Sequence, residues 1–257
     1  MLNIENLTKK FYKGTVNEFT AIDGINLHAA PGEFITIIGS NGAGKSTLMN
    51  SIAGVYAIDG GKITLDGTEI SRMPEHRRAR NIGRVFQDPL KGTAFDMTIE
   101  ENLSIAYNKT RSRGFQAGIS KADRALFKDK VSMLSMGLED RMKEKVKLLS
   151  GGQRQALTLF MAVIAKPVLL LLDEHTAALD PAAAKKVLEM TDFFAEDERM
   201  VTMMITHNMK NALEHGTRTI LMKEGKTVMD IRGAERENMT VEKLVEKFEI
   251  DNDRMLL

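Results

Sequence analysis

The sequence predicts an α/β fold in which a parallel sheet carries a glycine-rich loop, with an antiparallel β portion beside it and a helical segment inserted into it. Three observations predict this. Residues 34–38, Phe-Ile-Thr-Ile-Ile, are an apolar run of strand length that leads into Gly39-Ser40-Asn41-Gly42-Ala43-Gly44-Lys45-Ser46 and then into the helix-compatible residues 47–53. Residues 168–172, Val-Leu-Leu-Leu-Leu, are apolar on both faces, as a central parallel strand is, and residues 201–206 read the same way. Residues 2–7 and 62–67 alternate instead, and the second ends in Asp66-Gly67, a strong turn signal, which marks the antiparallel portion.

Along the chain, Ile22, Ile25 and Leu27 supply a second antiparallel strand with Gly24 as a bulge or turn, and Pro31-Gly32 turns the chain into the loop-bearing strand. Val85-Phe86-Gln87 ends a short strand before Asp88-Pro89. Residues 99–148 read as mostly helical, opening at Thr98-Ile99-Glu100-Glu101 with acids in the first turn, where the helix dipole favours them. Residues 110–120 form a polar, basic surface loop, and residues 121–136 suit an amphipathic helix. Helices follow at 154–165, stopped by Lys166-Pro167, at 182–194, and at 208–215, closed by Gly216. Residues 219–222 and 227–231 flank Glu224-Gly225 as a hairpin, and residues 240–248 make a last helix. The domain expectation is one unit over 1–248, with a helical subdomain at about 90–152 and a tail at 249–257.

The 257 residues suffice for one large core or two packed subdomains. The net charge of +1, from 36 basic and 35 acidic side chains, favours neither nucleic acid nor an anionic membrane as a main partner. No cysteine is present, which excludes disulfides and thiolate metal sites. No basic-then-apolar secretory leader opens the sequence, and no apolar run approaches the roughly 20 residues of a spanning helix.

Residues 39–46 fit the pattern Gly-x4-Gly-Lys-Ser/Thr in its required strand–loop–helix setting. Backbone N–H groups of such a loop, together with a helix N-terminus, converge on phosphate oxygens. Lys45 can reach the outer phosphates, and the Ser46 hydroxyl can ligate magnesium. Asp173 ends an apolar strand at the edge where open α/β sheets bind ligands; it can hold magnesium or cap a turn. Glu174, one residue on, can orient or deprotonate an attacking water, or be a surface carboxylate. Leu149-Ser150-Gly151-Gly152-Gln153 offers either a serine N-cap or a second anion nest. One triphosphate rarely needs two nests, so the nest makes most sense if two chains each offer it to the other's nucleotide.

These motifs, in this order, resemble the ATP-binding subunit of ATP-binding-cassette (ABC) transporters, over about residues 2–248. The resemblance makes residues Gly39 to Thr47 (Gly39, Ser40, Asn41, Gly42, Ala43, Gly44, Lys45, Ser46, Thr47) the Walker A loop, Gln87 the Q-loop glutamine, and Ser150, Gly151, Gly152 and Gln153 the signature. It makes Asp173 the end of Walker B, Asp180 the D-loop aspartate and His207 the switch histidine, a residue whose type alone fits a polar strand end equally well. It places adenine on Phe11, with the adjacent Tyr12 as a rival.

The resemblance implies a P-loop ATPase of ABC type that uses ATP and Mg2+. Lys45 and the loop would bind phosphates, and Ser46, Gln87 and Asp173 would arrange the metal. Glu174 would be the general base, His207 would sense the γ-phosphate, and Asp180 would link two sites across an interface. The implied partners are a second ATP-binding subunit, taken as an identical chain, an integral membrane permease whose helix docks near residues 88–102, and an extracytoplasmic solute-binding protein. No direct nucleic-acid partner is expected, and the implied location is peripheral, on the cytoplasmic face of the membrane.

The leading expectation is a multisubunit importer of a small organic solute, an amino acid for choice. An exporter or a lipid- or lipoprotein-extracting ATPase would share every nucleotide residue, and a soluble ATP-dependent switch is the alternative from another class. Several features depart from the family pattern, among them Leu90-Lys91-Gly92-Thr93-Ala94 after Asp88-Pro89, which implies a particular permease surface. His175 stands where a small residue or proline is common, which implies a local change of packing. The basic stretch 109–121 is either a solvated loop or a longer excursion of the helical portion.

Overall fold

The computed structural model describes residues 1–88, 90–109, 118–196 and 199–253. In chain order it contains β1 (Leu2–Phe11), β2 (Phe19–Ala29), β3 (Phe34–Gly39), α1 (Lys45–Ala53), β4 (Gly60–Leu65), β5 (Thr68–Glu69), α2 (Glu75–Arg78) and β6 (Ile82–Val85). It continues with α3 (Ile99–Asn108), α4 (Lys121–Ser132), α5 (Gly151–Val163), β7 (Leu169–Asp173), α6 (Pro181–Ala195) and β8 (Val201–Ile205). The last elements are α7 (Met209–Glu214), β9 (Arg218–Lys223), β10 (Lys226–Arg232), α8 (Gly233–Glu237) and α9 (Val241–Asp253). The chain forms two units, residues 1–79 with 197–257, and residues 80–196.

In the first unit, β1 pairs antiparallel with β2 and β4, and β4 with β5. The β1–β2 register shifts between Leu7 and Lys9, opposite Gly24 at φ +67, so the expected irregularity at Gly24 is a bulge. β3 pairs in parallel with β8 and β9, and β9 turns back on β10 through Glu224 and Gly225, both at positive φ. Every residue of β3 and β8 is buried, which is why both read as continuous apolar runs rather than alternations.

Two arginines tie this unit together. The Arg218 guanidinium, 4% exposed, donates to both Asp230 carboxylate oxygens, to Glu33 at 3.1 Å and to the His28 carbonyl. Arg78 donates to the Ser51 and Ile52 carbonyls in the last turn of α1, where carbonyls lose their regular i+4 helix donors.

In the second unit, β6 and β7 pair in parallel from Ile82↔Leu169 to Val85↔Leu172. Thr98, Ser120 and Ser150 each close a capping box with the acid or amide three residues on, which fixes the starts of α3, α4 and α5. Several boundaries differ from those expected. α5 starts at Gly151 rather than 154, because the Ser150 hydroxyl accepts the Gln153 N–H. α4 stops at Ser132 rather than 136, and Ser135 and Gly137 take left-handed backbone just beyond it. Residues 138–145 are not helical: the Glu144 and Met142 carbonyls accept the Ile99 and Glu100 N–H groups at the start of α3. α9 runs to Asp253, past the expected end at 248. Residues 110–117 of the expected basic loop, Pro89, and residues 254–257 of the expected tail lie outside the described residues.

Candidate functional site

The loop between β3 and α1 is built by local sequence. Gly44 precedes α1 with left-handed backbone, φ +98, and a Cβ there would lie 2.6 Å from the Ala21 carbonyl oxygen, so only glycine fits. No side chain caps α1. Its first turn therefore presents backbone N–H groups at the loop, the arrangement that holds anions. Asn41, Gly42 and Ser46 are exposed, Ser40, Gly44 and Thr47 partly so, while Gly39 and Ala43 are buried and anchor the loop. The Ala43 carbonyl accepts the Gly225 N–H at 3.0 Å, and the Gly225 carbonyl accepts the Asp23 N–H at 2.9 Å, so the β9–β10 turn braces the loop.

Lys45 is 6% exposed, and its Nζ donates to the Gly39 carbonyl at 2.7 Å and to the Ser40 carbonyl at 3.0 Å. Both acceptors are neutral dipoles. A phosphate oxygen is a stronger acceptor for the same ammonium because it carries charge.

Phe11 ends β1 opposite Phe19 in the register and stacks on it, with ring centroids 5.4 Å apart, while Tyr56 meets Phe11 edge-on at 5.2 Å. Lys9 Nζ lies 5.2 Å from the Phe11 ring centre. Tyr12 is 68% exposed with a left-handed backbone and tilts toward Phe19 at 6.4 Å. Sequence reasoning found Phe11 and Tyr12 but missed Phe19 and Tyr56. The signal for Phe19 was the hairpin pairing that sets it across from Phe11. His207 in this unit is exposed, just past β8.

In the second unit, Asp173 is the last residue of β7 and is partly exposed, and Glu174 follows with left-handed backbone at φ +47. Gln87 is exposed beyond β6. Asp180 caps α6, its Oδ1 accepting the Ala182 and Ala183 N–H groups at 3.1 and 3.0 Å. Ser150 is exposed at the head of α5 beside Gly151, while Gly152 is buried. The Gln153 side chain is held in place: its Oε1 accepts the Ser150 N–H at 3.2 Å and its Nε2 donates to the Met136 carbonyl. Thus the N-cap reading of Ser150 holds in the structure, and its hydroxyl stays at the surface. Among the described residues no group of three or more His, Asp or Glu side chains could hold a metal by itself, and no helix is long and apolar enough to cross a membrane.

A phosphate-binding loop between a buried parallel strand and a helix, and an acid-ended strand in the parallel β6–β7 pair, define a P-loop nucleotide hydrolase. Comparison narrows the class. The family model described as ABC transporter matches residues 22–177. The tyrosine transport ATP-binding protein of Clostridioides difficile (strain R20291) is 43% identical over 249 residues, 97% of this chain and 99% of that protein. The methionine import ATP-binding protein MetN of Corynebacterium glutamicum is 34% identical over 232 residues, 88% of this chain but 61% of the relative's length. Among solved structures, a dimeric ATP-binding cassette in a post-hydrolysis state, bound to ADP and Pi, superposes with a TM-score of 0.77 at 27% identity, covering 90% of this chain and 98% of that one. The chain belongs to the ABC transporter ATP-binding family, and is an ATP-binding ABC ATPase.

Proposed function

We propose that the chain is the ATP-hydrolysing subunit of a multisubunit importer for a small organic solute, with an amino acid, tyrosine first, as the leading substrate. The observation that carries this is the 43% identity to a tyrosine transport protein over almost the full length of both chains. A relative named for methionine import supports the same direction of transport.

In this reading the Gly39–Thr47 loop and Lys45 bind the phosphates of ATP, and the aromatic group around Phe11 takes the adenine. Glu174 accepts the proton of the attacking water, and exposed His207 senses the γ-phosphate. Ser46, Gln87 and Asp173 offer a hydroxyl, an amide carbonyl and a carboxylate, the hard oxygen donors that suit Mg2+. A single carboxylate in that set fits an ion that takes its remaining ligands from water and substrate phosphates. Bound there, Mg2+ would neutralise charge developing on the phosphates.

Two copies close head to tail, so that exposed Ser150 and its neighbours Gly151 to Gln153 meet the nucleotide on the partner copy, and Asp180 lies at the seam. The dimeric cassette bound to ADP and Pi supports this arrangement. An integral permease, served by an extracytoplasmic binding protein, takes up the motion, and the chain works at the cytoplasmic face of the membrane.

The test is isolation of the chain from native membranes with its bound proteins, followed by uptake in liposomes loaded with MgATP. ATP-dependent accumulation of labelled tyrosine, with a permease and a binding protein present, is the expected outcome. A permease without a binding protein, and release instead of uptake, would favour export or extraction. Recovery of soluble partners alone would replace transport by an ATP-dependent switch.

A further inference from the structure

His175 is buried, 2% exposed, in the segment between β7 and α6 and directly follows Glu174. Its Nε2 lies 3.0 Å from Oγ1 of Thr191, a fully buried residue of α6. The same Thr191 hydroxyl donates to the Val187 carbonyl, one helical turn back, at 2.9 Å. A hydroxyl has one proton and a carbonyl can only accept. With that proton on the Val187 carbonyl, the Thr191 oxygen is left to accept an N–H from His175 Nε2. The reverse assignment, with Thr191 donating to a bare Nε2, would give up the Val187 bond where water does not reach. The Thr191–Val187 bond favours a hydrogen bond that runs from the strand-end segment to the helix.

Glu174 holds a left-handed backbone, φ +47, and its carbonyl accepts the Ala177 N–H at 3.0 Å. An L-residue with a Cβ stays in that region only when its surroundings over-determine it. The Glu174–His175 peptide is one planar unit, so its orientation couples ψ of the first residue to φ of the second, from which the imidazole departs. Anchoring the imidazole on a packed helix thus constrains the Glu174 backbone. A small residue or a proline at 175 would have no atom to make this link.

We propose that His175 is a positioning residue for hydrolysis: its hydrogen bond to Thr191 holds Glu174 in the backbone conformation that aims its carboxylate at the attacking water. This rests on the assignment of Glu174 as the general base, and the buried His175 acts through it.

The test is steady-state ATP hydrolysis by the full chain, with binding of a fluorescent ATP analogue measured alongside. Thr191→Val keeps the side-chain shape and removes the acceptor. The expected result is a kcat lower by on the order of tenfold, because small misplacements of a reacting group cost that much or more, with KM and analogue affinity within about twofold of wild type. Thr191→Ser, which keeps the hydroxyl, restores kcat. Should Thr191→Val not fold, His175→Gln and His175→Leu read the same bond, since Gln reaches Thr191 with an N–H and Leu does not. Wild-type kcat in Thr191→Val or His175→Leu, alongside an inactive Glu174→Gln, overturns the positioning role and leaves the base assignment standing. Equal losses in the Val and Ser variants overturn the hydrogen bond as its cause. Full turnover by Glu174→Gln removes the base assignment and this inference with it.

Discussion

Lys45 Nζ lies 2.7 Å from the carbonyl oxygen of Gly39, six residues upstream, so the ammonium spans the loop that carries it. The lysine is held inside the loop before any phosphate is considered, and its long side chain keeps little rotamer freedom left to lose on binding. In the proposed reading, a phosphate oxygen competes with carbonyl dipoles for a charge already in position. On that reading Lys45→Ala is expected to remove a charge-assisted hydrogen bond of about 1.5–3 kcal/mol, which corresponds to roughly 10- to 150-fold weaker ATP binding. Titration with a fluorescent ATP analogue measures this. Unchanged affinity would detach Lys45 from the phosphates.

Glu174→Gln keeps size and polarity but cannot take a proton from water. Its kcat is expected to fall by about 10²- to 10⁴-fold, the span of general acid–base catalysis, while ATP still binds and holds two chains together. Size-exclusion chromatography with ATP reads the trapped dimer, and a monomeric variant with normal turnover would count against the role.

Ser150 caps α5, and in the proposed reading it also faces the phosphate of the partner copy's nucleotide. Ser150→Ala loses the cap and is expected to destabilise the chain by about 1 kcal/mol. Ser150→Asp keeps an equally good cap but brings a carboxylate to a surface meant for phosphate. The expected pattern is an unchanged melting temperature and a loss of ATP-induced dimerisation. An Asp variant that dimerises normally would confine Ser150 to capping.

Asp59 sets the end of β1 that bears Phe11. Its carboxylate accepts the Lys10 N–H at 2.8 Å, pairs with Lys9 at 3.2 Å, and its own N–H donates to Thr8. The Lys10 N–H first, and the Lys9 ammonium with it, hold this carboxyl below the usual aspartate range against the opposing effect of burial. A lowered folded value means that the unfolded chain binds the proton more readily. The stabilisation is therefore complete above the unfolded value of about 3.9 and is lost as pH falls through the lower folded value. Urea unfolding of wild type and Asp59→Asn should differ at neutral pH and converge in acid. A gap that stays constant down to the acid limit would assign the effect to packing.

The loop at 39–46 was legible because its chemistry is local: glycines, a lysine and a flanking apolar strand specify the backbone by themselves. The parallel strands were legible for a similar reason, since β3 and β8 are buried on both faces. What lay hidden depends on partners distant in sequence. Residues 138–145 have helical composition, yet their carbonyls serve the N–H groups of Ile99 and Glu100, and that tertiary pairing outweighs propensity. His175 stood out as a departure from pattern, but Thr191, sixteen residues on, gave no sign that it was its partner. Phe19 and Tyr56 were apolar residues without periodicity until β1 paired with β2, which carries Phe19, and with β4, which follows Tyr56, and so gathered both at Phe11.

The turn at Glu224-Gly225 bonds to Ala43 on one side and Asp23 on the other, and a Cβ at Gly225 would lie 2.8 Å from the Ala21 carbonyl. An ordinary hairpin tip faces solvent and tolerates extra residues. Here Glu224 is exposed but Gly225 is buried and clamped between two other segments, so a change of length at Gly225 would displace both. Among homologous chains its length should therefore vary as little as that of the loop it braces, and an inserted tag or label at this hairpin would register as lost nucleotide affinity although the hairpin itself need never touch ATP.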